Sequence, residues 1–137
     1  MQGENMTNGR LQILIVEDEI ISALFLTEYI KMLGHDCFAP VTRGRDAVIQ
    51  AKIEKPDIIF MDIKLEDDID GIEAAKQILT CQQIPIVFMS AYSDNEIVDS
   101  AKKLKPMAYF QKPIETENIR EMIELTVQKS GGLPRAQ

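Results

Sequence analysis

The chain has 137 residues, 45% hydrophobic and 27% charged, which is enough for one globular domain and too apolar for a mainly disordered chain. Its 15 basic and 22 acidic residues give a formal net charge of −7, which disfavours direct binding to nucleic acid. The two cysteines form no CxxC pair, no apolar run approaches the roughly 20 residues that span a bilayer, and the amino terminus has no signal core, so a cytoplasmic protein without membrane insertion is predicted.

Short apolar runs alternate along the chain with stretches of helical periodicity. Strands that are apolar throughout and alternate with helices are typical of a parallel sheet covered on both faces. The sequence predicts a doubly wound (βα)5 sandwich of the α/β class with a five-stranded parallel sheet, whose strand order the pattern leaves open. In chain order the predicted strands and helices are Leu11–Val16, Glu19–Leu33, Asp36–Val41, Arg43–Glu54, Asp57–Asp62, Gly71–Cys81, Ile84–Ser90, Asp94–Leu104, Met107–Gln111 and Thr116–Lys129.

The same pattern divides the chain into one domain and two short ends. Residues 11–130 are predicted to form the domain, with flexible tails at 1–10 and 131–137. The helical spacing of the first helix is carried by apolar residues, and Gly34 is its predicted stop. His35, in the turn that follows, is interpreted as a surface residue rather than a phosphodonor. The apolar residues are Ile20, Leu24, Leu26, Ile30 and Leu33.

Polar side chains stand where the predicted strands end. Glu17 and Asp18 follow the first strand, Asp62 ends the third, Ser90 ends the fourth, and Lys112 follows the fifth. Each has an ordinary explanation as a helix cap, a turn residue or a solvated loop residue. Ligands of doubly wound sheets bind beyond the carboxyl ends of the strands, so these side chains are expected to converge at one edge.

This set of side chains has a chemical logic. Grouped carboxylates repel one another unless a cation joins them, and oxygen ligands without histidine or sulfur favour Mg²⁺ or a similar hard ion. Carboxylate, divalent ion, lysine and hydroxyl are the components that phosphoryl transfer uses. A carboxylate can also act as the nucleophile and form an aspartyl phosphate.

The chain resembles the receiver domain of two-component response regulators. The resemblance covers residues 11–130 and implies a flavodoxin-like receiver fold. It departs from the usual pattern in the acidic loop 64–70, which is one residue longer and has Glu66 where proline is common. The motifs that carry the resemblance are ILIVEDE at 13–19, IIFMDIKL at 58–65, DGIEAAKQI at 70–78, VFMSAYSD at 87–94 and AYFQKP at 108–113.

The resemblance implies a role for each candidate site residue. Asp62 is the implied phosphoacceptor, and the implied cofactor is Mg²⁺, with Mn²⁺ as an alternative. The implied metal ligands are Glu17, Asp18, Asp62 and the backbone carbonyl of Lys64. The residues implied to bind the phosphoryl group or to switch with it are Ser90, Lys112 and Tyr109, and Pro113 is the candidate cis-proline.

The resemblance also implies partners. The phosphodonor is a sensor histidine kinase or a histidine phosphotransfer protein. The output is a downstream protein partner or a dimer through the surface of residues 94–129, because the sequence leaves no room for a DNA-binding output domain in this chain.

Three other functions compete with this interpretation. An aspartate-nucleophile phosphatase of the haloacid-dehalogenase type would have an acid two residues after the nucleophile, where this chain has Lys64. A degenerate interaction module that is never phosphorylated is disfavoured because all the site positions hold workable residues. A flavodoxin-like nucleotide binder would need a glycine- or hydroxyl-rich loop after the first strand, where the sequence is EDEIIS.

Overall fold

The computed structural model describes residues 9–66, 69–91 and 94–130, so the predicted tails lie outside it except for Gly9 and Arg10. Its five strands form one sheet in the order β2-β1-β3-β4-β5, and every neighbouring pair is parallel. The predicted fold class is therefore confirmed. The elements are β1 Gln12–Val16, α1 Ile20–Met32, β2 Asp36–Cys37, α2 Gly44–Glu54, β3 Ile58–Asp62, α3 Gly71–Leu79, β4 Ile86–Ser90, α4 Asn95–Lys102, β5 Ala108–Gln111 and α5 Thr116–Ser130.

The central strands are apolar throughout because helices cover both faces of the sheet. Successive residues of a strand point to opposite faces, so Leu14 and Val16 of β1 pack with residues of α2 and α3, whereas Ile13 and Ile15 pack with residues of α1 and α5. The largest core side chains divide in the same way, with Phe88 on the first face and Phe60 on the second. Both faces of the sheet are thus occupied by core.

The second strand is shorter than predicted. It covers Asp36–Cys37, and an isolated bridge between Val16 and Val41 lies where the predicted strand ends. The backbone N–H groups of Phe38 and Val41 still donate to the carbonyls of Ile13 and Ile15 in β1. Pro40 between them has no N–H to donate, so the regular ladder is interrupted before Val41.

The apolar stripe predicted for the first helix is partly wrong. Leu26 and Ile30 are buried as expected, but Ile20 and Leu24 are 70% and 54% exposed. The other buried residues of α1 are small, namely Ala23 and Thr27. Thr27 can be buried because its hydroxyl donates to the carbonyl of Ala23 at 2.8 Å. As a result, α1 presents large apolar side chains to solvent.

Two aspartates fix the starts of the helices that follow the site loops. The Asp70 carboxylate accepts the backbone N–H of Glu73 at 2.9 Å, and the Asp94 carboxylate accepts that of Glu96 at 2.8 Å. Asp94 is thus the N-cap of α4. Among the described residues, no helix combines the length and apolarity needed to cross a membrane.

His35 lies just before β2, at the edge of the sheet opposite the site loops. Its Nδ1 accepts the backbone N–H of Leu11 at 3.0 Å. Only an imidazole without a proton on Nδ1 can accept this bond. Burial lowers the pKa of His35, and the positive charge of Arg10 lowers it further, against the opposing effects of Asp36 and Asp57.

The stability of the protein should therefore depend on the charge of His35. Because the pKa of His35 is lowered in the folded protein, neutral His35 contributes fully to stability above the ordinary histidine pKa of about 6.5. This contribution is lost as the pH falls below that pKa. We expect the free energy of unfolding in urea to lose up to about 1 kcal/mol on acidification, the value of one hydrogen bond. The His35→Gln variant should not show this loss. Identical pH dependence of the free energy of unfolding for the two proteins would contradict the prediction.

Candidate functional site

The sheet brings the predicted acidic residues together. Val16 at the end of β1 is in register with Met61 of β3, so Glu17 and Asp18 emerge beside Asp62. One carboxylate oxygen from each of these three acids lies within 4.8 Å of the others. Glu17 and Asp62 are buried and Asp18 is half-buried. We call these three residues the acidic cluster.

Backbone contacts hold Glu17 in its buried position. Its N–H donates to the carbonyl of Val41 at 2.8 Å, and its Oε2 accepts the N–H of Glu19 at 3.0 Å. Its other oxygen, Oε1, lies 2.7 Å from Lys112 Nζ but has no well-directed hydrogen bond within the described part of the chain. A buried carboxylate oxygen that lacks a well-directed hydrogen bond can still bind a cation.

Lys112 reaches the acidic cluster from the far side of β4. Its Nζ lies 3.0 Å from Asp62 Oδ2, and it contacts Glu17 at the same time. The Lys112 N–H donates to the Ser90 carbonyl at 2.7 Å, which anchors the backbone after β5 against the end of β4. The peptide bond between Lys112 and Pro113 is cis.

Burial and charge shift the protonation of these groups. Desolvation raises the pKa of Glu17, although the contact with Lys112 opposes the shift. Desolvation and the neighbouring charge of Glu17 raise the pKa of Asp18. Burial lowers the pKa of Lys112, but its close contacts with the carboxylates of Glu17 and Asp62 outweigh that effect and raise it. The surroundings thus favour the protonated forms of Glu17 and Asp18, and they hold Lys112 as an ammonium.

The acidic cluster fits a hard divalent cation. An Mg²⁺ ion binds oxygens at about 2.0–2.1 Å, so two of its ligands are at most about 4.2 Å apart. Carboxylate oxygens that already lie within 4.8 Å of one another need only small side-chain movements to reach that spacing. The donors are all oxygens, which suits Mg²⁺ or Mn²⁺ rather than a softer metal.

The structure also places the other residues predicted for the site. Lys64 lines the same groove as the cluster. Ser90 ends β4 and is fully buried. Tyr109 on β5 is half-buried and packs against the core on the α2–α4 side of the sheet, in register with Phe88. The sheet thus places Ser90 beside the site and Tyr109 further along β5.

A groove of about 690 Å³, which the sequence pattern did not predict, opens beside the acidic cluster. One wall is α1, which contributes Ile21 and Phe25, and the other is the segment after β5, with Pro113 and Ile114. Ile21 is 82% exposed and Phe25 51% exposed. Their spacing of four residues was the available signal, because it puts them on the same side of the helix.

The loop after β3 is tied back to the site by Gly71. Its N–H donates to the carbonyl of Ile63 at 2.7 Å. A Cβ at this position would overlap the carbonyl oxygen of Asp62 and lie 2.9 Å from the Cα of Ile63. Only glycine allows the start of α3 to approach the end of β3 this closely.

Comparison with known proteins gives one consistent family. The family model of the response regulator receiver domain matches residues 13–124. The transcriptional regulatory protein PdtaR of Mycobacterium tuberculosis is 34% identical over 118 residues, which are 86% of this chain and 57% of that protein. The sporulation initiation phosphotransferase F of Bacillus subtilis is 28% identical over 114 residues, 82% of this chain and 90% of that protein.

A solved structure gives the same result. The signal receiver domain of a modulated diguanylate cyclase from Desulfovibrio desulfuricans is 32% identical, with a TM-score of 0.81, over 88% of this chain and 95% of that chain. The doubly wound sheet of this chain is thus the fold of a class of signalling domains rather than of classical enzymes. The chain belongs to the response regulator receiver domain family. It spans little more than half the length of PdtaR.

Proposed function

We propose that this protein accepts a phosphoryl group on Asp62 and passes the signal on through a protein surface. The observation that carries the proposal is the acidic cluster with Lys112 Nζ 3.0 Å from Asp62 Oδ2. Asp62 is the member of the cluster at the centre of the sheet, and it lines the groove that a donor would enter. Residues 11–130 are the unit to which this function is assigned.

The proposed chemistry is the transfer of a phosphoryl group between nucleophiles. An oxygen of the Asp62 carboxylate attacks phosphorus of a phosphohistidine, the P–N bond breaks, and the imidazole leaves with a proton. Lys112 balances the negative charge of the incoming oxygens, and the hydroxyl of Ser90 donates to one of them. Water later hydrolyses the acyl phosphate, which releases inorganic phosphate and restores the Asp62 carboxylate for another transfer.

Glu17, Asp18, Asp62 and the backbone carbonyl of Lys64 are the proposed ligands of Mg²⁺ or Mn²⁺. When bound, the ion would supply positive charge opposite the oxygens of the transferring group. The protein's own contribution is to hold the carboxylates on a rigid sheet edge. Pro113 fixes the path of the chain after Lys112.

The groove supports a histidine kinase or a histidine phosphotransfer protein as the donor. Exposed apolar side chains that border a polar site are typical of protein interaction surfaces. Here the apolar wall of α1 adjoins Asp62, so a partner that packs on Ile21 and Phe25 would bring its own side chains to the acceptor. A partner of this kind and the two free cysteines, Cys37 and Cys81, fit the cytoplasm as the place of action.

The output surface is proposed to lie on residues 94–129. Lys112 and Ser90 respond to the phosphoryl group first, because they lie nearest to Asp62. Tyr109 is joined to them through β5 and to the core through its ring, so a change of its rotamer would alter the surface between α4 and α5. A downstream protein or a second copy of the chain would then distinguish the two states by a difference in affinity.

The decisive experiment is phosphorylation by a small-molecule phosphodonor, read by intact mass. We expect the mass of the protein to rise by one phosphoryl group in the presence of Mg²⁺. Without a divalent ion the uptake should fall at least about tenfold, because the carboxylates then lack the compensating charge. Equal uptake with and without Mg²⁺ would contradict the proposed role of the cation.

A further inference from the structure

The first helix, α1, is apolar on its outward side as well as on its inward side. Leu26 and Ile30 are buried in the core, yet most of the residues exposed on the outside are also large and apolar. A surface helix normally carries polar residues on the side away from the core, and a helix that is apolar all round is normally buried. The exposed apolar residues of α1 are Ile20, Ile21, Leu24, Phe25 and Met32.

These five residues form one continuous face. At 3.6 residues per turn they fall within an arc of about 140° around the helix axis. The same arc contains Glu28 and Lys31, which are the two charged residues of α1. The face therefore has no net formal charge, although the chain as a whole has a net charge of −7. We call these seven residues the α1 face.

We propose that the α1 face binds a second copy of this chain, so that two α1 helices pack side by side in a symmetric dimer. Each copy of a two-fold dimer supplies the same face. Two neutral faces can meet without the local like-charge repulsion that a strongly acidic surface would produce. An antiparallel pair of helices sets the first turn of each over the last turn of the other, which brings Ile20 and Ile21 of one copy to Met32 of the other.

The area of the α1 face suits a weak dimer. Its apolar residues are 51–82% exposed. Side chains of this size expose about 100 Å² of apolar surface each in that condition. Two copies together therefore remove about 1,000 Å² of apolar surface from water, which is near the lower limit for a specific interface. We expect a dissociation constant of about 10–100 µM.

The dimer would also affect the candidate site, and this consequence rests on the proposed function. Ile21 and Phe25 of the α1 face are part of the wall of the groove beside Asp62. A second copy therefore covers the surface that a protein donor would use, whereas a small-molecule phosphodonor needs no such surface. Dimerisation would thus limit phosphotransfer from a protein partner.

The test is the oligomeric state of the full chain, measured by sedimentation velocity from about tenfold below to about tenfold above the expected dissociation constant. Leu24→Glu puts a carboxylate from each copy into the interface, so dimer affinity should fall at least about tenfold. Leu24 does not line the groove, and glutamate forms helices about as well as leucine, so the fold should persist. Ile53→Glu is the matched control, since it makes the same kind of change at an exposed residue of α2 and should dimerise like the wild type.

A second comparison separates the α1 face from the surface of residues 94–129. Leu125→Glu makes the same substitution at an exposed residue of α5 and should leave the dimer intact. Loss of the dimer in Leu125→Glu but not in Leu24→Glu would overturn the assignment to α1. If Leu24→Glu does not fold, Leu24→Gln removes the apolar group without adding charge and should still weaken the dimer about threefold or more.

The possible failures are distinguishable. A wild-type protein that stays monomeric over this range, or a folded Leu24→Glu variant that dimerises as well as the wild type, would overturn this inference alone. A wild-type protein that dimerises but takes up no phosphoryl group from a small-molecule donor would overturn the proposed function and leave the dimer standing. The expected result is loss of the dimer in Leu24→Glu with unchanged phosphorylation by that donor.

Discussion

Asp62→Asn is expected to take up no phosphoryl group under conditions in which the wild-type protein is modified. The substitution keeps the size of the side chain, but the amide nitrogen and oxygen are poor nucleophiles and carry no charge. Lys112 still has Glu17 at 2.7 Å, so the buried carboxylate keeps its partner and the fold should persist. Intact mass after incubation with a small-molecule phosphodonor and Mg²⁺ measures the loss.

The matched control is Asp46→Asn, the same chemical change at an exposed position in the first turn of α2. It should be phosphorylated as fully as the wild type. A gain of phosphoryl mass by the Asp62→Asn variant would place the acceptor on another side chain. Peptide mapping would then identify that residue, and the assignment of Asp62 would be wrong.

The convergence of the site could be predicted from the sequence because it follows from topology. In a parallel sheet whose crossover connections are all right-handed, the carboxyl ends of the strands lie at the same edge. Polar residues at these ends therefore share that edge, whatever the order of the strands. Glu17, Asp18 and Asp62 were therefore expected to lie close together, and they do. Lys112 was expected at the same edge, since it follows the fifth strand.

The partner of Lys112 could not be predicted in this way. Periodicity does not give the strand order, and the order decides that Lys112 must extend past β4 to reach Asp62. The contact with Glu17 depends on which of two adjacent acids turns inward. That choice is made by the backbone of Val41 and Glu19, which are distant from Lys112 in the chain.

The groove was missed for a different physical reason. The helical pattern of α1 has apolar residues on more than one side, so apolarity alone could not identify the side that meets the sheet. The small residues Ala23 and Thr27 are buried, and larger side chains of the helix are exposed. Large exposed residues such as Phe25 are thus a consequence of packing by small ones.

Gly71→Ala is expected to damage both the stability of the fold and the geometry of the acceptor. The added methyl group would overlap the carbonyl oxygen of Asp62 and crowd the backbone of Ile63, neither of which can rotate away as a side chain does. Overpacking against rigid neighbours costs up to about 3 kcal/mol. We expect a loss near that value in the free energy of unfolding measured in urea.

Gly34→Ala is the control that separates crowding from backbone strain. Gly34 has a φ of +96°, and among the described residues no neighbouring atom lies within 4 Å of the point where a methyl group would stand. Alanine there brings conformational strain of about 1 kcal/mol without a clash. Gly34 lies after α1, away from Asp62, so this substitution should leave phosphorylation intact.

Gly71→Ala can relieve its clash only by moving α3 or the end of β3. Either movement shifts the Asp62 carboxylate relative to Lys112, whose Nζ lies 3.0 Å from Asp62 Oδ2. The folded fraction of Gly71→Ala should therefore be phosphorylated more slowly than the wild type, as measured by the rate of mass gain. An unchanged rate would mean that the loop yields without disturbing β3.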